Sequence, residues 1–169
     1  GKTKKMSYSS FFAVGNVNRR LDMLSANQWR AYVRDNNIQG ATDFGGNTDW
    51  PKALEQTSFS QSHTLAFSSG DKKSGVRSSV TFLQNEGVVK TTKLQRLSGS
   101  LSAYQYGLND KLKLQIGLNA SIDDWQPLDY RIFQRAYNLS PVIPIYDNNG
   151  DFTAVGGTNY ENPVEIFTN

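Results

Sequence analysis

The clearest pattern in the chain is a strict alternation of apolar and polar residues over Lys111–Asp123. Leu112, Leu114, Ile116 and Leu118 are separated by polar or small residues. Because successive side chains of a β-strand point to opposite faces, this alternation predicts a strand with one apolar and one polar face. The run is longer than the roughly 5–6 residues usual in soluble proteins. It matches the roughly 9–11 residues that a tilted strand needs to cross a bilayer.

Four more strands are predicted, because the segments alternate or are rich in aromatic and β-branched residues: Met6–Val17, Phe59–Ser68, Val76–Leu83 and Leu94–Tyr106. Short links at Ser69–Gly75 and Gly107–Asp110 predict tight turns at one end of the sheet, whereas the other connections are longer. Outer-membrane barrels have this asymmetry. A soluble β-sandwich or meander with one buried face has the same period, so the pattern leaves both open.

Two features lie outside the predicted strands. A short helix is predicted over Leu24–Asp35, where Ser25 suits the N-cap and Gln28 completes a capping box. Beyond Asp124 no clean period survives, and four prolines predict a long irregular tail. Within that tail, Tyr146–Phe152 is predicted to form a small hairpin.

Composition narrows the class of protein. The 169 residues are 37% hydrophobic and 20% charged, which is too polar for a helical membrane protein. A barrel wall is compatible with these values, since only alternate residues meet lipid. The net charge is +3 and the basic residues are scattered apart from Lys2–Lys5, so we expect no nucleic-acid partner.

The residues that carry most catalytic and metal chemistry are scarce. His63 is the single histidine and cysteine is absent, so we expect no transition-metal site and no cofactor. His63 is interpreted as a strand residue near the headgroup region. Asp123 and Asp124 are adjacent on a strand and therefore point to opposite faces. No nucleophile elbow or phosphate-binding glycine motif occurs, and Asp147–Asp151 lacks the last ligand of a calcium loop. We expect no catalytic residues and no enzyme.

Six blocks of sequence, in order along the chain, resemble the SusC/RagA family of TonB-dependent outer-membrane transporters. They are LDMLSANQWRAYV (Leu21–Val33), GGNTDWPKAL (Gly45–Leu54), FSQSHTLAFSSG (Phe59–Gly70), VRSSVTFLQNEGVV (Val76–Val89), LQRLSGSLS (Leu94–Ser102) and DKLKLQIGLNASIDD (Asp110–Asp124). YDNNGDF (Tyr146–Phe152) resembles a hairpin in the family's third long loop, and GKTKK at the start resembles the end of its plug domain. The resemblance covers about Leu21–Phe152.

The resemblance implies a fold. The family has a large barrel of about 22 strands with a plugged lumen. We therefore expect an all-β, antiparallel up-and-down meander that forms part of a plugged outer-membrane β-barrel, with one short helix in the first long loop. Residues 1–5 would end the plug or form a linker, 6–124 would hold the first five or so barrel strands, and 125–169 would be a truncated extracellular loop. The chain would then be a piece of a longer protein, without activity alone.

The resemblance also implies an activity and partners. The family imports oligosaccharides or peptides in an energy-coupled way across the outer membrane of Gram-negative cells. A SusD-like surface lipoprotein usually serves as a lid, and TonB contacts the plug region that this chain lacks. The expected partners are these two proteins, the ligand and the lipid bilayer. The competing hypothesis is a secreted, soluble β-sandwich that binds carbohydrate, and a third is a structural or adhesive surface protein.

Two sets of residues are candidates for contact with a partner. Aromatic faces with polar neighbours suit stacking on sugar rings, although the same aromatics would also suit packing of the loop on itself. The candidate substrate contacts are Trp125, Tyr130, Tyr137, Tyr146 and Asp124. The candidate lipid-facing residues are Leu112, Leu114, Ile116, Leu118, Leu65, Phe67, Val80 and Phe82. Trp29 and Trp50 are expected to pack the first loop.

Overall fold

A computed structural model describes residues 3–154 and 161–167. Its elements in chain order are β1 (Thr3–Gly15), α1 (Ala26–Asp35), α2 (Trp50–Ala53), β2 (Ser58–Gly70), β3 (Ser74–Glu86), β4 (Lys93–Gly107), β5 (Leu112–Gln126), α3 (Tyr130–Asn138) and a 3₁₀ helix (Glu165–Phe167). The strands form one antiparallel sheet in the order β1-β2-β3-β4-β5. The expected all-β up-and-down meander is confirmed, and α1 is the short helix of the first long loop. Within the described residues the sheet is not closed.

The strands are longer than the alternating segments predicted. Each has 13 or 15 residues, and β1 begins at Thr3 rather than Met6. The ladder between β4 and β5 continues to its last pair, Lys93 with Gln126. Trp125 therefore lies within β5, and the expectation that the loop begins at residue 125 was wrong. The adjacent aspartates break the apolar–polar alternation, which hid the end of the strand.

Side chains fix the two tight turns. The Asp71 carboxylate accepts hydrogen bonds from the backbone N–H groups of Lys73 and Ser74, both at 2.8 Å. The Tyr104 hydroxyl donates to the Asp71 carbonyl at 2.7 Å. In the second turn, residues 108–110 all have positive φ angles between 53° and 68°. Lys73 forms an ion pair with Asp110 at 3.2 Å, which joins the two turns.

The chain divides into two compact units. The sheet unit contains residues 3–15, 58–87 and 92–127, and the helical unit contains 16–57, 88–91, 128–154 and 161–167. The core of the helical unit is formed by six buried residues: Trp50, Leu54, Ile132, Ala136, Leu139 and Ile143. Trp50 is 2% exposed and donates its indole N–H to the Ser140 carbonyl at 3.1 Å. The expectation that Trp50 packs the first loop is confirmed.

Backbone pairing joins distant segments of the helical unit. Gly46 N–H donates to the Val142 carbonyl at 2.7 Å, and Thr48 N–H donates to the Pro141 carbonyl at 2.8 Å. A side chain at Gly46 has no space, since its Cβ would lie 2.5 Å from the Pro144 nitrogen. The first long loop and the segment after α3 therefore stabilise each other.

Local sequence accounts for the helices. In α1, the predicted capping box is present, because the side chains of Ser25 and Gln28 each accept a hydrogen bond from the other's backbone N–H. In α3, the Asp129 side chain caps the first turn. The expectation of an irregular tail after Asp124 was wrong at this point. Ile132 and Ala136, four residues apart, place a buried stripe on one face of α3.

A search of the described residues for membrane-spanning helices found none with the required length and apolar character.

Candidate functional site

One face of the sheet carries nearly all of its large apolar side chains. The strand register aligns even-numbered residues of β1, β3 and β5 with odd-numbered residues of β2 and β4. We call this side the apolar face, and its large apolar members are Met6, Tyr8, Phe12, Val14, Phe59, Leu65, Phe67, Val76, Val80, Phe82, Leu97, Leu101, Leu112, Leu114, Ile116, Leu118 and Ile122. All eight candidate lipid-facing residues share this face. Ile116 is 62% exposed, so these side chains form a broad exposed apolar surface.

The opposite side, which we call the polar face, is rich in small hydroxyl and amide residues. The hydroxyl groups of Thr64 and Thr81 are hydrogen-bonded at 2.9 Å, and those of Ser79 and Ser100 at 2.7 Å. Its large apolar or aromatic exceptions are Phe11, Leu83, Leu94, Tyr104, Tyr106 and Trp125. Short polar side chains leave this face shallow, which would suit close approach of another part of a protein.

Charge is confined to the ends of the strands. In the sheet unit as described, no Asp, Glu, Lys or Arg occurs within residues 6–15, 58–70, 78–85, 97–107 or 114–122. A band without charge therefore crosses all five strands on both faces. A water-exposed sheet face normally carries charged residues, whereas a charged side chain on a lipid-facing strand is destabilising.

This band runs diagonally across the sheet. The apolar stretch is centred near Ser10 in β1 and near Gly117 in β5. The register carries Ser10 across the sheet to Ile122, five residues from Gly117. The centre of the apolar stretch therefore moves by five residues, each about 3.3 Å long, over four strand spacings of about 4.8 Å. This displacement corresponds to a tilt of roughly 40° between the strands and the normal to the band. Membrane-spanning barrel strands tilt by about 35–45°.

Hydrogen-bonding side chains border the apolar face towards the long loops. The Tyr8 hydroxyl lies 2.6 Å from His63 Nδ1, and His63 Nε2 lies 3.2 Å from the Gln61 amide oxygen. Gln61 and Gln95 each donate to Gln84 at 3.4 Å. His63 therefore belongs to a row of polar side chains across neighbouring strands, and its hydrogen-bond partners in that row are Tyr8 and Gln61.

In the helical unit, Tyr146 lines a cleft of about 510 Å³ together with Asn47, Thr48, Asp49 and Lys52. An aromatic face beside amide, hydroxyl and charged groups is an arrangement that suits sugar or peptide ligands. The upstream residues of this cleft were missed by sequence reasoning, because they lie about 100 residues before Tyr146 and only the tertiary structure joins them. The one sequence signal for these residues was that their segment, Gly45–Leu54, resembles a block of the SusC/RagA family.

The Tyr146 ring is held in place by the predicted hairpin. Tyr146 and Phe152 form an antiparallel bridge, and their rings lie 5.1 Å apart. The Asp147 carboxylate accepts from the backbone N–H groups of Asn149 and Asp151 at 2.8 and 3.0 Å. The hairpin prediction is confirmed, and this carboxylate is occupied in stabilising the turn.

The remaining candidate substrate contacts are spread over both units. Asp124 and Trp125 lie on opposite faces of β5. Tyr130 begins α3 and is 78% exposed. Tyr137 stacks on Phe133 with ring centroids 6.3 Å apart. No group of three or more His, Cys, Asp or Glu side chains within 3–154 and 161–167 is arranged to hold a metal ion.

Ion pairs support the helical unit. The Arg30 side chain donates to Asp43 at 2.6 and 3.0 Å and to the Gly46 carbonyl at 2.8 Å. The hydrogen bonds from Arg30, followed by one from the Gly45 N–H, lower the pKa of the Asp43 carboxyl below its usual value. Arg131 likewise lowers the pKa of Asp129. Both carboxylates stay ionised at neutral pH and have structural partners.

Comparison with curated proteins relates this chain to the TonB-dependent receptors. The relative is the TonB-dependent receptor SusC of Bacteroides thetaiotaomicron, with 26% identity over 186 aligned residues. The alignment covers 99% of this chain and 18% of SusC, so the chain spans less than a fifth of the length of the curated relative it matches. The chain matches no model of a known protein family. Similarity to a receptor is consistent with the expectation that the chain is not an enzyme.

Proposed function

We propose that the sheet is part of the wall of a plugged outer-membrane β-barrel in an importer of the SusC/RagA family. The observation that carries this proposal is the charge-free band, which is apolar on one face and crosses the strands at roughly 40°. Similarity to SusC over nearly the whole chain supports it. In this arrangement the lipid-facing residues are Leu112, Leu114, Ile116, Leu118, Leu65, Phe67, Val80 and Phe82.

The chain is then a segment of a longer protein. Residues 3–126 supply five barrel strands and their connections, and residues 127–154 and 161–167 belong to an extracellular loop. The polar face points to the lumen and the plug, since its short hydroxyl side chains favour close packing. TonB acts through a plug outside this segment.

The helical unit lies on the extracellular side and contributes to ligand binding. The cleft beside Tyr146 supports an oligosaccharide or peptide ligand, because an aromatic ring there adjoins amide, hydroxyl and charged groups. A SusD-like surface lipoprotein covers this side. A soluble β-sandwich has less support, since it requires a second sheet over the apolar face and the described strands form one sheet.

Substitution of Ile116 tests the proposal in the full-length protein. Ile116→Arg introduces a charge on the apolar face and costs about 2–4 kcal/mol near the bilayer midplane. We expect this variant to be lost from the outer-membrane fraction. Ile116→Leu is the matched control, because it changes the same side chain without adding a charge to the apolar face. Recovery of Ile116→Arg in the outer membrane at the wild-type level would contradict the proposal.

A further inference from the structure

The two ends of the sheet differ in charge. The end with the tight turns carries seven basic residues: Lys4, Lys5, Lys72, Lys73, Arg77, Lys111 and Lys113. Its acidic residues within the described chain are Asp71 and Asp110, which leaves a net charge of +5. The end with the long loops carries Lys93 and Arg96 against Glu86, Asp123 and Asp124, a net charge of −1. The tight-turn end is therefore strongly basic.

Some of these cations have partners within the protein. Lys73 is paired with Asp110 at 3.2 Å. The Lys113 ammonium lies 5.9 and 5.7 Å from the ring centroids of Tyr104 and Tyr106 on the polar face, where the aromatic faces attract it. These contacts fix Lys73 and Lys113 within the turn region.

Three lysines at or beside the apolar face are available to an external anion. Of the five other cations, Lys5 and Arg77 lie on the polar face. Lys4, Lys72 and Lys111 are exposed, and no carboxylate within the described ranges lies at salt-bridge distance from their ammonium groups. Lys4 belongs to the apolar face, two residues before Met6. Lys72 lies in the first tight turn, and Lys111 lies in the second. They border the apolar face along the edge where the charge-free band ends.

We propose that Lys4, Lys72 and Lys111 bind the phosphate headgroups of anionic phospholipids in the leaflet at the tight-turn end. This inference rests on the membrane-wall function proposed above. A lysine beside an apolar surface lays its hydrocarbon stem along that surface and extends its ammonium group to the headgroup region. Attraction to an anionic membrane surface is worth about fivefold in affinity for each lysine near it. The opposite end of the sheet, with its excess of carboxylates, lacks this complementarity.

Lipid titration of the purified protein, including any chain beyond these 169 residues, tests the inference. The protein is extracted in neutral detergent and titrated with phosphatidylglycerol or phosphatidylcholine of identical acyl chains, and bound lipids are counted by native mass spectrometry. We expect the triple variant Lys4→Gln, Lys72→Gln, Lys111→Gln to bind phosphatidylglycerol about 100-fold more weakly, with phosphatidylcholine unaffected. The control is Arg19→Gln, Lys90→Gln, Lys93→Gln, which makes the same change in net charge away from the tight turns. We expect less than a twofold effect from it.

The outcomes separate this inference from the membrane-wall proposal. An equal loss of phosphatidylglycerol in both triple variants would overturn the inference, because general charge would then explain the binding. No loss in the tight-turn variant would also overturn it. A protein that stays in water without detergent and retains neither lipid would contradict the membrane-wall proposal itself.

Discussion

Arg30 on α1 and Asp43 in the following loop form a two-pronged ion pair, with Nε–Oδ2 at 2.6 Å and Nη2–Oδ1 at 3.0 Å. The same guanidinium group donates to the Gly46 carbonyl, and the Gly46 N–H donates to Val142. One arginine therefore connects α1 to the loop that pairs with the segment after α3. This pairing supports the cleft beside Tyr146.

The Arg30–Asp43 pair predicts acid sensitivity of this loop. Arg30 lowers the pKa of Asp43 in the folded state, so the pair contributes stability above the unfolded pKa of about 4. That contribution is lost as the pH falls through the lower folded pKa. We expect amide hydrogen exchange at Gly45 and Gly46, corrected for intrinsic rates, to quicken below about pH 4. Asp43→Asn should remove this pH dependence of exchange. If exchange in the variant quickens over the same pH range as in the wild type, the Arg30–Asp43 pair is not its cause.

Trp50 is predicted to stabilise the helical unit mainly by packing. Trp50→Ala should lower the free energy of unfolding of this unit by about 3–5 kcal/mol, because it removes a fully buried aromatic side chain. Trp50→Phe retains most of the packing but leaves the Ser140 carbonyl without its indole donor, which costs about 1 kcal/mol. Unfolding of the helical unit in denaturant, monitored by limited proteolysis within that unit, measures the stability change in both variants. Equal effects would show that the hydrogen bond dominates instead.

Gly46 is predicted to tolerate no side chain. Its Cβ would lie 2.5–2.8 Å from backbone atoms of residues 142–144, which cannot move as a flexible side chain would. Gly46→Ala should destabilise the loop pairing by about 1–3 kcal/mol. Gly117→Ala is the control, since no atom lies within 4 Å of its added Cβ. Thermal unfolding of the two variants side by side should separate them, and equal midpoints would refute the close-approach argument.

Tyr146 is predicted to contact the ligand. Tyr146→Ala should weaken binding of the full-length protein to its best oligosaccharide in a glycan panel by about tenfold, or roughly 1.4 kcal/mol. Tyr32→Ala removes an equally large and similarly exposed tyrosine outside this cleft, so it serves as the control. Titration calorimetry measures both affinities. Unchanged binding by Tyr146→Ala would remove the cleft from the ligand site.

Strand alternation predicted the sheet and its turns well, because the apolar–polar period is a local property of the sequence. It underestimated β5, where Asp123 and Asp124 interrupt the period while the ladder to β4 continues. It missed α3, since flanking prolines favoured an irregular tail over the short apolar stripe of Ile132 and Ala136.

The candidate cleft was less accessible to sequence reasoning. Tyr146 was identified as an exposed aromatic in a hairpin, and its hairpin is confirmed. Thr48 and Asp49 approach it only because the backbone of the first loop pairs with Pro141 and Val142. No local pattern encodes a contact across about 95 residues.

The sheet order follows the chain order without exception. Each new strand of a growing chain can therefore pair with the strand made just before it, so every step closes a short or moderate loop and needs no rearrangement of earlier pairs. The sheet edge to which the next strand is added therefore moves from β1 to β5 in chain order. In the described residues β1 and β5 each have one neighbour. Because β1 is made first, the N-terminal strand waits longest for a second neighbour.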